Sequence, residues 1–160
     1  MLEAAGRVAY GARMEPSRDG AGTWVMRCDG GARGNPGPAA GAYVLYDPDG
    51  REIEARDEYL GAVTNNVAEY RALLHGLDAA VQHGVRRLRV FMDSELVVRQ
   101  MLGEYRVKNA GLKPLHEAAR RATGRFEAIE FRAVRREDNA RADEIVNETL
   151  DRVAQSESPR

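Results

Sequence analysis

Four acidic residues of this 160-residue chain stand where an apolar core would not want them. Glu69 precedes Leu73 by four residues and Leu77 by eight, which puts it on or beside the apolar stripe of a helix. Asp29 closes a strand-like run, TWVMRCD, immediately before Gly30-Gly31, and Asp93 closes RRLRVFMD immediately before a second helical stretch. Asp143 falls in the first turns of a C-terminal helix, one residue from Ala142 and three from Val146, where the helix dipole favours its ionised form. A carboxylate on an apolar face is costly unless its charge is compensated. Acids gathered in one place repel one another, so such a cluster persists mainly by holding a hard divalent cation, magnesium or manganese. Two such ions sharing a carboxylate can activate a water and stabilise the leaving oxygen of a phosphodiester, with no covalent intermediate. The chemistry this predicts is metal-assisted phosphoryl transfer. Taken singly, Asp29, Asp93 and Asp143 are more simply caps or surface acids, since 25 Asp and Glu will place some there by chance.

The elements that must position these acids follow from periodicity and turn residues. TWVMRCDG predicts a strand stopped by Gly30-Gly31, and after the turn-rich GARGNPGP a second strand follows in AAGAYVLYD. Asp47-Pro48-Asp49-Gly50 predicts a hairpin turn into REIEARDEYLG, whose alternation suits a half-exposed third strand antiparallel to the second. From Thr64 the period changes: Tyr70, Leu73, Leu74, Leu77 and Val81 recur at helical spacing, with Thr64 or Asn65 as cap and Gly84 as terminator. A fourth strand, helices over about Ser94–Leu102 and Leu112–Thr123, and a strand through AIEFRAV come next. A last helix from about Asn139 carries Ala142, Ile145, Val146, Leu150 and Val153 on one side. This order predicts an α/β fold, a mixed sheet flanked by helices.

With 43% hydrophobic and 31% charged residues the chain fits one domain with a real core, here expected over residues 23–153. Residues 1–22 lack a sustained period and are expected to form a disordered extension; 154–160 are expected to be a flexible tail. The single cysteine, Cys28, forbids an internal disulfide and suggests a reducing compartment. With no signal-like apolar segment and no membrane-length run, the expectation is a cytoplasmic protein without membrane contact, and a monomer. The net charge of −1 gives no global pull toward nucleic acid, so any such binding must rest on local patches.

The run Cys28-Asp29-Gly30-Gly31-Ala32-Arg33-Gly34-Asn35-Pro36-Gly37-Pro38 resembles the opening motif of type 1 ribonucleases H. Thr64-Asn65-Asn66-Val67-Ala68-Glu69-Tyr70 resembles the family's second motif, Met92-Asp93-Ser94 its third, and Asn139-Ala140-Arg141-Ala142-Asp143 its fourth, all in the family's order over residues 23 to 152. The resemblance implies a ribonuclease H-like fold, a five-stranded sheet with three antiparallel strands followed by two parallel ones. It implies an endonuclease that cuts the RNA strand of RNA–DNA hybrids with two Mg2+ ions per site, or Mn2+ in their place. By the same likeness Asp29 bridges both ions, Asp143 completes one, and Glu69 with Asp93 complete the other. Asn35 and Thr64 would grip a DNA phosphate, Asn65 and Asn66 would reach the minor groove, and the backbone of Gly30, Gly31 and Arg33 would meet RNA, whose 2′-hydroxyl both donates and accepts.

The chain also departs from the pattern. Many family members carry a histidine in the loop before the last helix, and here that loop is Arg135-Arg136-Glu137-Asp138-Asn139. His75, His83 and His116 are scattered without metal-ligand spacing. Between the second and third helices only Gly103–Gly111 replaces the basic, tryptophan-bearing protrusion of some bacterial members, so the chain resembles the compact ones. The competing readings are a nuclease of the same fold acting on double-stranded RNA, a proofreading-type exonuclease, and a hybrid-binding domain without chemistry. The exonucleases open with an Asp-x-Glu pair, whereas Gly31 stands two residues beyond Asp29; the presence of all four acids argues against a mere binder.

Overall fold

The computed structural model describes residues 22–157; the extension expected over 1–22 lies, except for Gly22, outside the described residues, as do positions 158–160. The order is β1 (Trp24–Ala32), β2 (Gly37–Tyr46), β3 (Glu52–Val63), α1 (Asn65–Gln82), β4 (Arg87–Met92), α2 (Glu95–Met101), α3 (Lys113–Thr123), β5 (Ala128–Ala133), a 3-10 turn (Arg136–Asn139) and α4 (Ala140–Glu157). The five strands form one sheet in the order β3-β2-β1-β4-β5. β1 pairs antiparallel with β2, as β2 does with β3, while β1–β4 and β4–β5 are parallel. This is the mixed sheet expected.

Alternation along the strands sends one set of side chains to each face. Met26, Cys28, Tyr43, Leu45, Leu88, Val90, Ile129 and Phe131 pack against Tyr70, Leu73 and Leu77 of α1 and Val97, Val98 and Met101 of α2. On the other face Ala40 and Ala42 meet Val146 and Leu150 of α4. α4 contacts β1, β2 and β3. Among the described residues no helix is long and apolar enough to cross a membrane.

Local chemistry fixes the connections. Asp47 Oδ1 accepts from the backbone N–H groups of Asp49 and Arg51, both at 2.9 Å, and Gly50 at φ 86° completes the hairpin turn. Thr64, in extended conformation, caps α1 by accepting from the Val67 N–H at 3.3 Å, and Ser94 caps α2 in the same way.

Two expectations are corrected. Gly30-Gly31 do not stop β1: the strand continues to Ala32, with Gly30 opposite Gly41 and Gly31 opposite Ala40 of β2. Backbone pairing with β2 carries it through the glycines. The tail expected from residue 154 is helical as far as Glu157, because its polar side chains lie on an exposed helix whose other side is already docked.

α4 is fastened to β3 partway along its length by a polar contact: Thr149 Oγ1 donates to Asp57 Oδ2 at 2.5 Å, and Arg152 Nη2 reaches the same oxygen at 2.7 Å. The Thr149 hydroxyl is the main reason the Asp57 carboxyl is held below its ordinary range. Thr149→Val should therefore cost about 1 kcal/mol in urea unfolding at pH 7. Because the folded-state pKa of Asp57 is depressed, the contribution is fully present above the unfolded value and is lost as pH falls through the folded one. The gap between parent and variant should narrow toward pH 3; a gap that stays constant would mean the carboxylate charge plays no part.

Candidate active site

Asp29 projects from the α4 side of β1, Glu69 comes from the first turns of α1 on the opposite side of the sheet, and Asp93 follows the last residue of β4. They meet because Gly30 has no side chain to hold α1 away: a Cβ there would lie 2.3 Å from the carbonyl carbon and oxygen of Ala68. One carboxylate oxygen from each of Asp29, Glu69 and Asp93 lies within 4.8 Å of the others. Asp29 and Glu69 are only 5% and 8% exposed.

This cluster is electrostatically unhappy alone. Burial, then the nearby Asp93 carboxylate, push Asp29 from its ordinary 3.8 up to about 8. Glu69 is driven well above the ordinary carboxylate range by burial and then by Asp29 and Asp93, against a backbone hydrogen bond from Gly30. Glu69 Oε2 and Asp93 Oδ1 are buried and accept no hydrogen bond from the described residues. Converging carboxylates with unpartnered buried oxygens fit a hard divalent cation, which would supply the missing charge and ligation together.

Asp143 stands apart from that trio. Its Oδ1 receives Arg136 Nη2 at 3.1 Å, from the 3-10 turn before α4. The pairing with Asp143 pushes the Arg136 guanidinium above its ordinary value, with smaller help from Asp29 and Asp93. Asp143 nevertheless opens onto the same cleft as the other three acids, a space of about 440 Å³. The turn is tied down by Asn139, fully buried, whose Nδ2 donates to the Cys28 carbonyl at 2.9 Å.

Of the residues that the resemblance assigns to the substrate, Gly30, Gly31, Arg33, Asn65 and Asn66 line this cleft. Asn35 and Thr64 do not line it. Asn35 Oδ1 accepts from the Asn65 N–H at 3.0 Å, and Asn65 Oδ1 accepts from the Ala32 N–H at 2.8 Å, so these side chains lace the β1–β2 loop to the start of α1. Sequence reasoning missed Asn147, on the cleft wall one helical turn after Asp143, and Ser94, beside Asp93. The four-residue spacing from Asp143 was the available signal for Asn147. In the loop that lacks a histidine, Arg136 faces Asp143.

The sequence family described as Reverse transcriptase-like matches residues 27–149. The bifunctional protein Rv2228c of Mycobacterium tuberculosis is 43% identical over 133 residues, covering 82% of this chain and 36% of the relative. Ribonuclease HI of Halobacterium salinarum is 38% identical over 123 residues, 77% of this chain and 62% of the relative. The chain thus spans only part of the length of these curated relatives. The solved N-terminal RNase H domain of Rv2228c superposes with a TM-score of 0.77 at 41% identity, covering 79% of this chain and 97% of that one. LC11-RNase H1, solved in complex with an RNA/DNA hybrid, gives a TM-score of 0.78 at 40% identity, covering 82% and 99%. With the sheet order, the four ordered acidic motifs and these relatives in agreement, the chain belongs to the type 1 ribonuclease H family.

Proposed function

We propose that this chain is a metal-dependent endonuclease that hydrolyses the RNA strand of RNA–DNA hybrids, working as a monomer in the cytoplasm. The observation that carries the reading is the trio Asp29, Glu69 and Asp93, with buried oxygens on Glu69 and Asp93 that nothing among the described residues satisfies, lining an open cleft. Asp29 would be shared by two Mg2+ or Mn2+ ions, Glu69 and Asp93 completing one and Asp143 the other. Ions bound there supply Lewis acidity, lowering the pKa of a bound water and stabilising the leaving oxygen.

The chain's own residues do the rest. An ion at Asp143 would compete with Arg136 for the carboxylate, and Arg136, 73% exposed, could then turn toward an incoming phosphate. Gly31 carries no side chain on the α4 side, where it lines the cleft, so substrate can approach the main chain there closely enough for a 2′-hydroxyl to be read. Cys28, a free thiol buried beneath Asp29, is raised well above its ordinary range by burial and then by Glu69, and stays a packed neutral neighbour.

The test is cleavage of a labelled hybrid beside matched RNA and DNA duplexes, with Mg2+, Mn2+ or chelator. Metal-dependent cutting of the hybrid's RNA strand alone is the expected outcome. Cutting of double-stranded RNA alone would keep the metal chemistry and overturn the substrate; binding without cutting under either metal would sink the enzyme. Mg2+ should also raise the Tm of the parent by roughly 5–10 °C at about a hundredfold excess over its Kd. That gain should be larger at pH 8 than at pH 5, because the protonated Asp29 must lose its proton to bind the ion. A Tm indifferent to Mg2+ at both pH values would count against the site.

A further inference from the structure

Only two cations line the cleft among the described residues, Arg33 and Arg136, and each is held by an acid of α4. For Arg136 the acid is the expected ligand Asp143. For Arg33 it is Asp151, which the expected chemistry does not use: Arg33 Nη2 lies 2.7 Å from Asp151 Oδ1. The same nitrogen is 3.4 Å from both the carbonyl and the amide oxygen of Asn147. Arg33 follows Asp29 by four residues of extended chain, at most about 13 Å away, which sets it over the stretch of a bound strand that neighbours the acids.

The pair is exposed, with side-chain accessibilities of 43% for Arg33 and 60% for Asp151, and so contributes little to the fold. A guanidinium fork accepts a phosphate in the same geometry as a carboxylate, and a polyanion that exchanges for the carboxylate gains further by releasing its own counterions. A cleft rich in acids has few cations to offer a nucleic-acid backbone, so the loss of one to an internal partner matters.

We propose that Asp151 is an internal stand-in for a substrate phosphate: it holds Arg33 against α4 in the free protein and yields it to a backbone phosphate flanking the cleaved one. This rests on the ribonuclease H reading for the identity of the polyanion. Asp151 acts through Arg33 and touches neither substrate nor metal. Its effect therefore belongs in KM and not in kcat, and removing it should improve binding.

The experiment is a double-mutant cycle on the full chain with Asp151→Asn, Arg33→Ala and the two combined. Binding of a labelled RNA–DNA hybrid is read by fluorescence anisotropy with Ca2+ in place of Mg2+, and cleavage by steady-state kinetics with Mg2+. At low salt Asp151→Asn should lower Kd and KM about threefold with kcat unchanged, a gain that shrinks as salt screens the charges. Arg33→Ala should raise both about three- to tenfold, and the combined variant should match Arg33→Ala alone. A gain from Asp151→Asn that survives in the Arg33→Ala background would show general charge repulsion and overturn the exchange. Weaker binding or a lowered Tm in Asp151→Asn would show a structural staple and overturn it as well. If parent cleaves and Asp151→Asn changes nothing, the exchange falls and the hydrolase stands. If the hybrid is bound with the expected pattern but never cut, the hydrolase falls and the exchange stands; failure to bind at all removes both.

Discussion

Asp29→Asn should abolish hybrid cleavage while making the metal-free protein more stable. The first effect follows from the proposed role of Asp29 as the ligand shared by two ions: its carboxylate lies within 4.8 Å of those of Glu69 and Asp93 and lines the same cleft as Asp143. Losing the shared ligand should lower kcat by about a thousandfold or more, equivalent to about 4 kcal/mol of transition-state stabilisation. The second effect comes from burial and then from the Asp93 carboxylate, which together raise Asp29 from 3.8 to about 8. An acid whose pKa is higher folded than unfolded keeps a proton that the unfolded chain has lost, so stability falls as pH rises from about 4 to about 8. Asparagine carries no such penalty. The variant's advantage should be absent near pH 4 and greatest above pH 8, where side-chain relaxation holds it to roughly 1–3 kcal/mol, or a few degrees in Tm. Saturating Mg2+ should narrow or reverse the order, since the parent gains the ion and the variant does not. Melting both proteins in chelator at pH 5 and pH 8, and again in Mg2+, tests all of this. Equal melting of the two at pH 8 in chelator would show that the acids are not in conflict, and a variant that still cuts would remove Asp29 from the chemistry.

The acids were legible because burial makes a carboxylate conspicuous against an apolar period. Glu69 interrupts the stripe of Tyr70, Leu73 and Leu77, and the structure buries it together with them. The hairpin at Asp47–Gly50 and the cap at Thr64 were legible for a related reason: both are closed by bonds within four residues. Contacts between distant parts of the chain left no such mark. Asn139 has the local look of a helix cap, yet it is buried and bonded to the Cys28 carbonyl, 111 residues away. Nor did spacing indicate that Asp143 would face Arg136 while the other three acids converge, because that depends on the angle at which α4 leaves the 3-10 turn. Gly30 and Gly31 look like a strand end in sequence because a glycine pair usually signals a turn. Here Gly30 serves the approach of α1 to the strand, which no single-segment pattern records.

That approach can be tested directly, and Gly30→Ala is the substitution with the second large effect. The new Cβ would meet backbone only: the carbonyl carbon and oxygen of Ala68 at 2.3 Å and the amide nitrogen of Glu69 at 2.5 Å. Backbone cannot rotate aside as a side chain can, so α1 must move off β1 by about 1 Å to restore ordinary contact. Overpacking of this kind costs about 1–3 kcal/mol, visible as a loss of several degrees in Tm. The catalytic loss should be larger than the stability loss, because the displaced segment carries Glu69, and a misplacement of about 1 Å at a reacting centre costs on the order of a hundredfold in rate. Gly31→Ala is the matched comparison for stability. It lies next along the strand but faces α4, where the Cβ finds only Val146 Cγ1 at an ordinary 3.8 Å, so its Tm should stay within about 1–2 °C of the parent. If Gly30→Ala melts with Gly31→Ala and cleaves at the parent's rate, the closeness of α1 to β1 is not what brings Glu69 to Asp29. If it remains folded but loses both cleavage and the Mg2+-induced rise in Tm, one methyl group will have separated the acids without removing any of them.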